Sequence, residues 1–274
     1  GLADGDADGL ALGLPLGETD GLADGLLLGE TLGDCEGRLL SDCDGLALGL
    51  VEGLDVGCSA VHVPSAVAAV RNRYGNDFRP GDIYALNDPY EGGSHLPDII
   101  CVQPVFMEGD LVGFSSTLAH QTDIGGRVPG GNASDSTEIY QEGLRIPVVR
   151  LFDGGELCSD VFDLLLLNAR LPDERRGDYN AQIAACRLGA RRLNELLHRY
   201  SADTLHRAFD ELIARTEKRF RESVKTIPDG SYRYADVMDD DGMGVANIPV
   251  KLEIRVTGDR IVFDFTGTAV QVSG

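Results

Sequence analysis

Apolar residues follow more than one rhythm along this 274-residue chain, and each rhythm predicts a different kind of element. In SAVAAVRNRY (65–74) they recur at helical spacing, and Gly75 supplies the stop. GDIYALNDP, DIICVQPVF and GDLVGFSSTLAH then carry short apolar runs bounded by Gly, Pro and Asp, which predicts strands. The last of these starts from a hairpin turn and ends at His120. Residues 178–200 and 202–227 return to three- and four-residue spacing and predict two amphipathic helices. Asp178 and the Ser201–Asp203 stretch are the expected N-caps, and PDG (228–230) is the expected stop. SYRYADVMD, IPVKLEIRVTG and DRIVFDFTGTAVQV alternate as strands, with Gly258-Asp259 as a hairpin turn. The sum is an α+β fold: mixed strands and glycine-rich loops, then two amphipathic helices and a β-hairpin region.

The first 57 residues keep a separate pattern, with glycine at every fourth position from Gly1 to Gly57 and Ser41 as the single miss. A period of four drifts around a 3.6-residue helix, and each glycine costs a helix up to about 1 kcal/mol relative to alanine. As strands the repeats would stack only in a solenoid. Residues 1–60 are therefore expected to be disordered or non-native, the latter through translation in a wrong frame, with the folded domain over 61–274. DGDADG opens like a calcium loop at Asp4, Asp6, Asp8 and Gly9, but the twelfth position, which needs a bidentate Glu, is Pro15. At the other end the chain stops in or just after a predicted strand, an open edge that suggests a longer protein.

Charge narrows the function. The formal net charge is −21, and residues 1–60 hold 13 of the 45 acids against one base, Arg38. A chain this acidic is a poor partner for phosphate backbones, so nucleic acid is not expected. No apolar run reaches the roughly 20 residues of a spanning helix, and no signal-peptide pattern opens the chain. The six cysteines lack CxxC spacing, as reduced thiols would. These features predict a cytoplasmic protein with no membrane contact.

The candidate chemistry lies in NDPYEGGSHLPDII (87–100), where Pro89, Gly92, Gly93 and Pro97 forbid a helix around His95 and Asp98. With His120 they offer two imidazoles and a carboxylate, a set that leaves positions open on Fe(II), Mn(II) or Zn(II). Asp123 and Asp88 are candidates for a fourth ligand, an orienting partner or a base. The same spacing also fits histidines that only hydrogen-bond in turns. His198 and His206, on the predicted helices, read as surface or packing residues.

Five ordered stretches carry a resemblance: RPGDIYALNDPYEGGSHLPDIICVQPVF, AHQTDIGGRVPGG, IYQEGLRIPVVRL, NARLPDERRGDYNAQIAA and IPDGSYRYADVMDDDG. Over residues 61–274 the chain resembles the hydantoinase B family, which includes N-methylhydantoinase B subunits, the C-terminal half of 5-oxoprolinases and a subunit of acetone carboxylase. The resemblance maps a metal-binding pattern onto His95, Asp98 and His120. It departs at Gln121, where family members often carry a second histidine. It implies hydrolysis of a cyclic amide, with a hydantoinase A-type partner subunit using ATP to activate the carbonyl. A divalent Mn, Zn or Fe on this chain would activate water, with Asp123 as candidate general base. No GxxxxGK[ST] pattern occurs here, which places ATP on the partner. The alternatives are a subunit of an ATP-dependent ketone carboxylase, an inactive truncated fragment, or a metal-dependent binding module.

Overall fold

The computed structural model describes residues 46–49, 56–131 and 133–274, so most of the glycine-every-fourth tract lies outside the described residues. Two described pieces do come from it. Strand β1 (Leu46–Gly49) pairs in parallel with a later strand, and helix α1 (Val56–Tyr74) begins within the tract rather than after it. β2 (Ile83–Leu86), β3 (Asp98–Met107), β4 (Asp110–His120), β5 (Val149–Asp153) and β6 (Glu156–Leu157) complete a six-stranded sheet. Its order is β1-β4-β3-β2-β5-β6, antiparallel except at the β1 edge.

Helices cover both faces of this sheet, which explains why its central strands are apolar without a clean alternation. Tyr84, Leu86, Ile100, Val102 and Phe114 point to one side and pack with Val63, Ala66, Val67 and Val70 of α1. Ile83, Ala85, Ile99 and Cys101 point to the other. There they meet Phe162, Leu165 and Leu166 of α2 (Ser159–Leu167) and Tyr179, Ile183 and Cys186 of α3 (Pro172–Tyr200). A two-residue turn, Glu108-Gly109, joins β3 to β4 with φ of 54° and 96°. Positive φ at both positions matches the twist of a tight hairpin, and a bulge between Val105 and Phe106 then shifts the register by one residue for the rest of the pair.

The C-terminal part departs from this layering. Helix α4 (Ala202–Val224) follows α3 after a break at Ser201, whose φ is 68°. A separate antiparallel sheet of β7 (Gly230–Asp240), β8 (Ala246–Thr257) and β9 (Arg260–Asp264) then follows. The α+β class and the Gly258-Asp259 turn agree with the sequence pattern.

Three expectations need correction. α3 begins at Pro172, not at Asp178, because proline suits the first helical turn while Asp178 lies within the helix, 2.9 Å from Arg175. β9 stops at Asp264, where the carboxylate accepts the Thr266 amide and turns the chain back toward β8. The sequence pattern also missed α2 and the β5-β6 hairpin, since SDVFDLLLL is too short and too apolar to show a period.

Close contact between α3 and the sheet makes one position testable. A Cβ at Gly189 would land inside contact distance of Ser115 Oγ, which itself donates to the Cys186 carbonyl at 2.9 Å. Gly189→Ala is expected to lower stability by about 1–3 kcal/mol in urea unfolding. In a Ser115→Ala background the cost should shrink, and strict additivity of the two changes would contradict the packing described.

Candidate metal centre

The site is built at the open end of the β3-β4 hairpin. Asp98 and His120 are register partners on the last rung of the ladder, brought opposite each other by the one-residue bulge between Val105 and Phe106. His120 Nδ1 lies 2.7 Å from Asp98 Oδ1, with the carboxylate almost buried and the imidazole 43% exposed. His95 enters from the loop before β3. The Asp98 amide donates to the His95 carbonyl at 2.9 Å, a tight turn that folds the HxxD stretch back on itself. The imidazole centroids of His95 and His120 are 5.4 Å apart and tilted by 33°. One ligand atom from each of His95, Asp98 and His120 falls within 4.8 Å of the others.

Asn87 holds the loop in this shape. Fully buried, it donates through Nδ2 to the Leu96 carbonyl at 2.6 Å and to the Leu144 carbonyl at 2.9 Å, and its Oδ1 accepts the Ile146 amide. The loop carrying His95 is thereby clipped to residues 144–146. The glycines permit the clip: a Cβ at Gly93 would overlap the Asn87 carbonyl, and one at Gly92 would lie 2.7 Å from the Ser65 carbonyl of α1. Sequence reasoning noted the glycines but gave Asn87 no role, because its partners lie up to 59 positions away.

Asp88 and Asp123 take different places. Asp88 pairs with Arg145 at 2.7 Å and accepts the Tyr90 amide. Asp123 is held by Arg170, whose backbone amide donates to one oxygen at 2.7 Å and whose guanidinium donates to the other at 2.6 Å. The same guanidinium reaches the Gly126 carbonyl at 2.7 Å, so it ties down the glycine-rich loop that follows β4. Burial pushes the Asp123 carboxyl up, but the Arg170 bonds and the Gly130 amide outweigh it and leave the group below the ordinary carboxylate range. Neither aspartate belongs to the ligand cluster. His198 and His206 are exposed on α3 and α4. Cys101 and Cys186 are buried, and burial pushes the Cys186 thiol up to about 12, so these sulfurs stay protonated.

The donor set fits a divalent transition metal. Two imidazoles and a carboxylate within 4.8 Å leave an open side, as a reactive metal needs. His120 and Asp98, with His95, are the residues that would hold such a metal.

The fold and this cluster define a class: an α+β domain with a two-histidine, one-carboxylate candidate centre at a hairpin end. Residues 52–274 match the family model for hydantoinase B/oxoprolinase, and the chain belongs to that family. It is 37% identical over 211 residues to the caprolactamase beta subunit of Pseudomonas jessenii, covering 77% of this chain and 36% of that protein. It is 38% identical over 201 residues to a putative D-/L-hydantoinase B subunit of Pseudomonas sp. strain NS671, covering 72% and 34%. The crystal structure of the ATP-dependent caprolactamase from P. jessenii superposes with a TM-score of 0.71 at 36% identity, over 78% of this chain and 37% of that one. The chain thus spans about a third of the length of these relatives.

Two measurements probe this centre. Elemental analysis of purified variants should show most bound transition metal lost from His95→Ala and His120→Ala and retained in His198→Ala; equal content in all three would contradict the cluster. The Asp123 clasp has a pH signature. Because its folded pKa is depressed, its stabilisation is complete above the ordinary carboxyl pKa of about 3.9 and lost as pH falls through the lower folded value. Asp123→Asn should therefore destabilise the chain at pH 7 and progressively less toward pH ~3, read by urea unfolding. A penalty constant over that range would contradict it.

Proposed function

We propose that this chain is the metal-bearing subunit of an ATP-dependent hydrolase of cyclic amides of the hydantoin or 5-oxoproline type, acting with an ATP-using partner subunit. The observation that carries the reading is the convergence of His95, Asp98 and His120 at an open hairpin end. Its support from relatives is that one similar protein is called a caprolactamase subunit and that a similar structure is of an ATP-dependent caprolactamase.

A ring amide resists attack because its carbonyl is a poor electrophile, and activation by ATP on the partner would make that carbon easier to attack. When bound, a divalent Mn, Zn or Fe supplies Lewis acidity that makes water nucleophilic near neutral pH. The chain's own residues then do three things. Asp98 and His120, paired across the end of the hairpin, present their facing Oδ1 and Nδ1 atoms as donors. Asn87 keeps His95 in place through its clip on Leu96. Asp123, the candidate general base, is proposed here as the clasp of the glycine-rich loop. A carboxylate that spends both oxygens on one arginine and has a depressed pKa is a weak proton acceptor.

The test is turnover of hydantoin, 5-oxoproline and caprolactam with ATP. The isolated chain should be inactive, and the complex with an ATP-using subunit should open at least one ring. His120→Ala should reduce that activity by at least about 100-fold, the scale of losing a metal-organising group. Undiminished ring opening by His120→Ala in the complex, or ATP-dependent turnover by the chain alone, would contradict the proposal.

A further inference from the structure

One side of α3 stands out in so acidic a protein. Arg79, Arg127, Arg145, Arg150, Arg170 and Arg175 each meet a carboxylate within ion-pair distance. Arg176, Arg187 and Arg191 do not, among the described residues; Arg71, Arg73, Arg199 and Arg260 share that lack, but these three also share one helix face. On a 3.6-residue helix these three and Asn180 fall within one quarter of the surface, along about 22 Å of its length. All four are exposed.

The stripe is held in place rather than left to wave in solvent. The Arg187 guanidinium lies over the Phe152 ring at 4.5 Å, and that of Arg176 over the Phe162 ring at 5.5 Å. Stacking leaves the N–H edges of a guanidinium free and costs it little of its remaining freedom on binding. Between the arginines lies a cavity of about 460 Å³ lined by Phe152, Asn180, Ile183, Ala184, Arg187 and Arg191. Phe152 and Ile183 are almost fully buried and give it an apolar floor. Cationic rims around an apolar seat, built from Arg and an aromatic ring, have the make-up of an energetic centre in a protein interface.

We infer that this face of α3 docks an acidic segment of the ATP-using partner subunit, with carboxylates on Arg187 and Arg191 and an apolar side chain seated on Phe152 and Ile183. The inference rests on the proposed two-subunit function and names its contact surface. A cationic stripe selects an acidic partner locally, on a chain whose residues 61–274 carry 32 acids against 23 bases; that combination gives specificity.

The test measures affinity between the full chain and the ATP-using subunit. Arg187→Glu/Arg191→Glu should weaken the complex by at least about tenfold and flatten its dependence on salt. Arg207→Glu on α4 should change neither, and metal content should match the parent in both. Arg187→Lys/Arg191→Lys keeps the charge and should give a carbodiimide-dependent cross-link between lysine and a partner carboxylate. If the parent binds and the reversal variant binds equally well at every salt concentration, or the lysine variant yields no cross-link, the surface assignment is wrong and the function stands. If the parent itself forms no complex, the two-subunit reading falls and this surface falls with it.

Discussion

The proposed metal centre depends on the register of one hairpin. The Glu108-Gly109 turn starts the β3-β4 ladder, and a bulge that leaves Val112 unpaired, between the pairing of Phe106 with Leu111 and that of Val105 with Gly113, shifts it by one residue, so that Asp98 meets His120 and not Ala119. Slippage by one residue would send His120 to the opposite face of the sheet, among the residues that pack under α3. The two helical layers prevent this. Ile100, Val102 and Phe114 are buried under α1, and Ile99 and Cys101 under α2 and α3, so a slip would exchange two packed cores at once. Precision at the site is thus inherited from burial far from it.

The third member of the cluster has a different origin. His95 lies on a loop, and loops acquire a fixed shape only when their backbone polar groups find partners. Asn87 provides these by bridging Leu96, Leu144 and Ile146. Arg170 does the same for the glycine-rich loop after β4, through Asp123 and Gly126. The cluster therefore rests on one rigid hairpin and one clipped loop, and the scaffold alone brings its three side chains together.

How much of this was legible in the sequence varied with the range of the interactions. β3, β4 and the two long helices were readable because their periods are local, and His95, Asp98 and His120 because two of them share a glycine- and proline-bounded loop. The start of α3 was misplaced because Asp178 has the chemistry of a cap, whereas Pro172 reads equally well as a breaker and as a first-turn residue. Asp123 was picked out as a base for its nearness in sequence to His120, and its bond to Arg170, 47 positions on, carries no sequence signal. Asn87 and the unpaired stripe on α3 were invisible for the same reason, since a residue's lack or choice of a distant partner is a property of the folded chain.

The central claim is that His95, Asp98 and His120 hold one divalent metal together. X-ray absorption on the zinc-loaded chain tests it most directly. The account predicts two imidazole nitrogens and at least one oxygen at about 2.0–2.2 Å, with one imidazole lost in either His95→Ala or His120→Ala. A spectrum without imidazole scattering, or one unaltered by both substitutions, would contradict it.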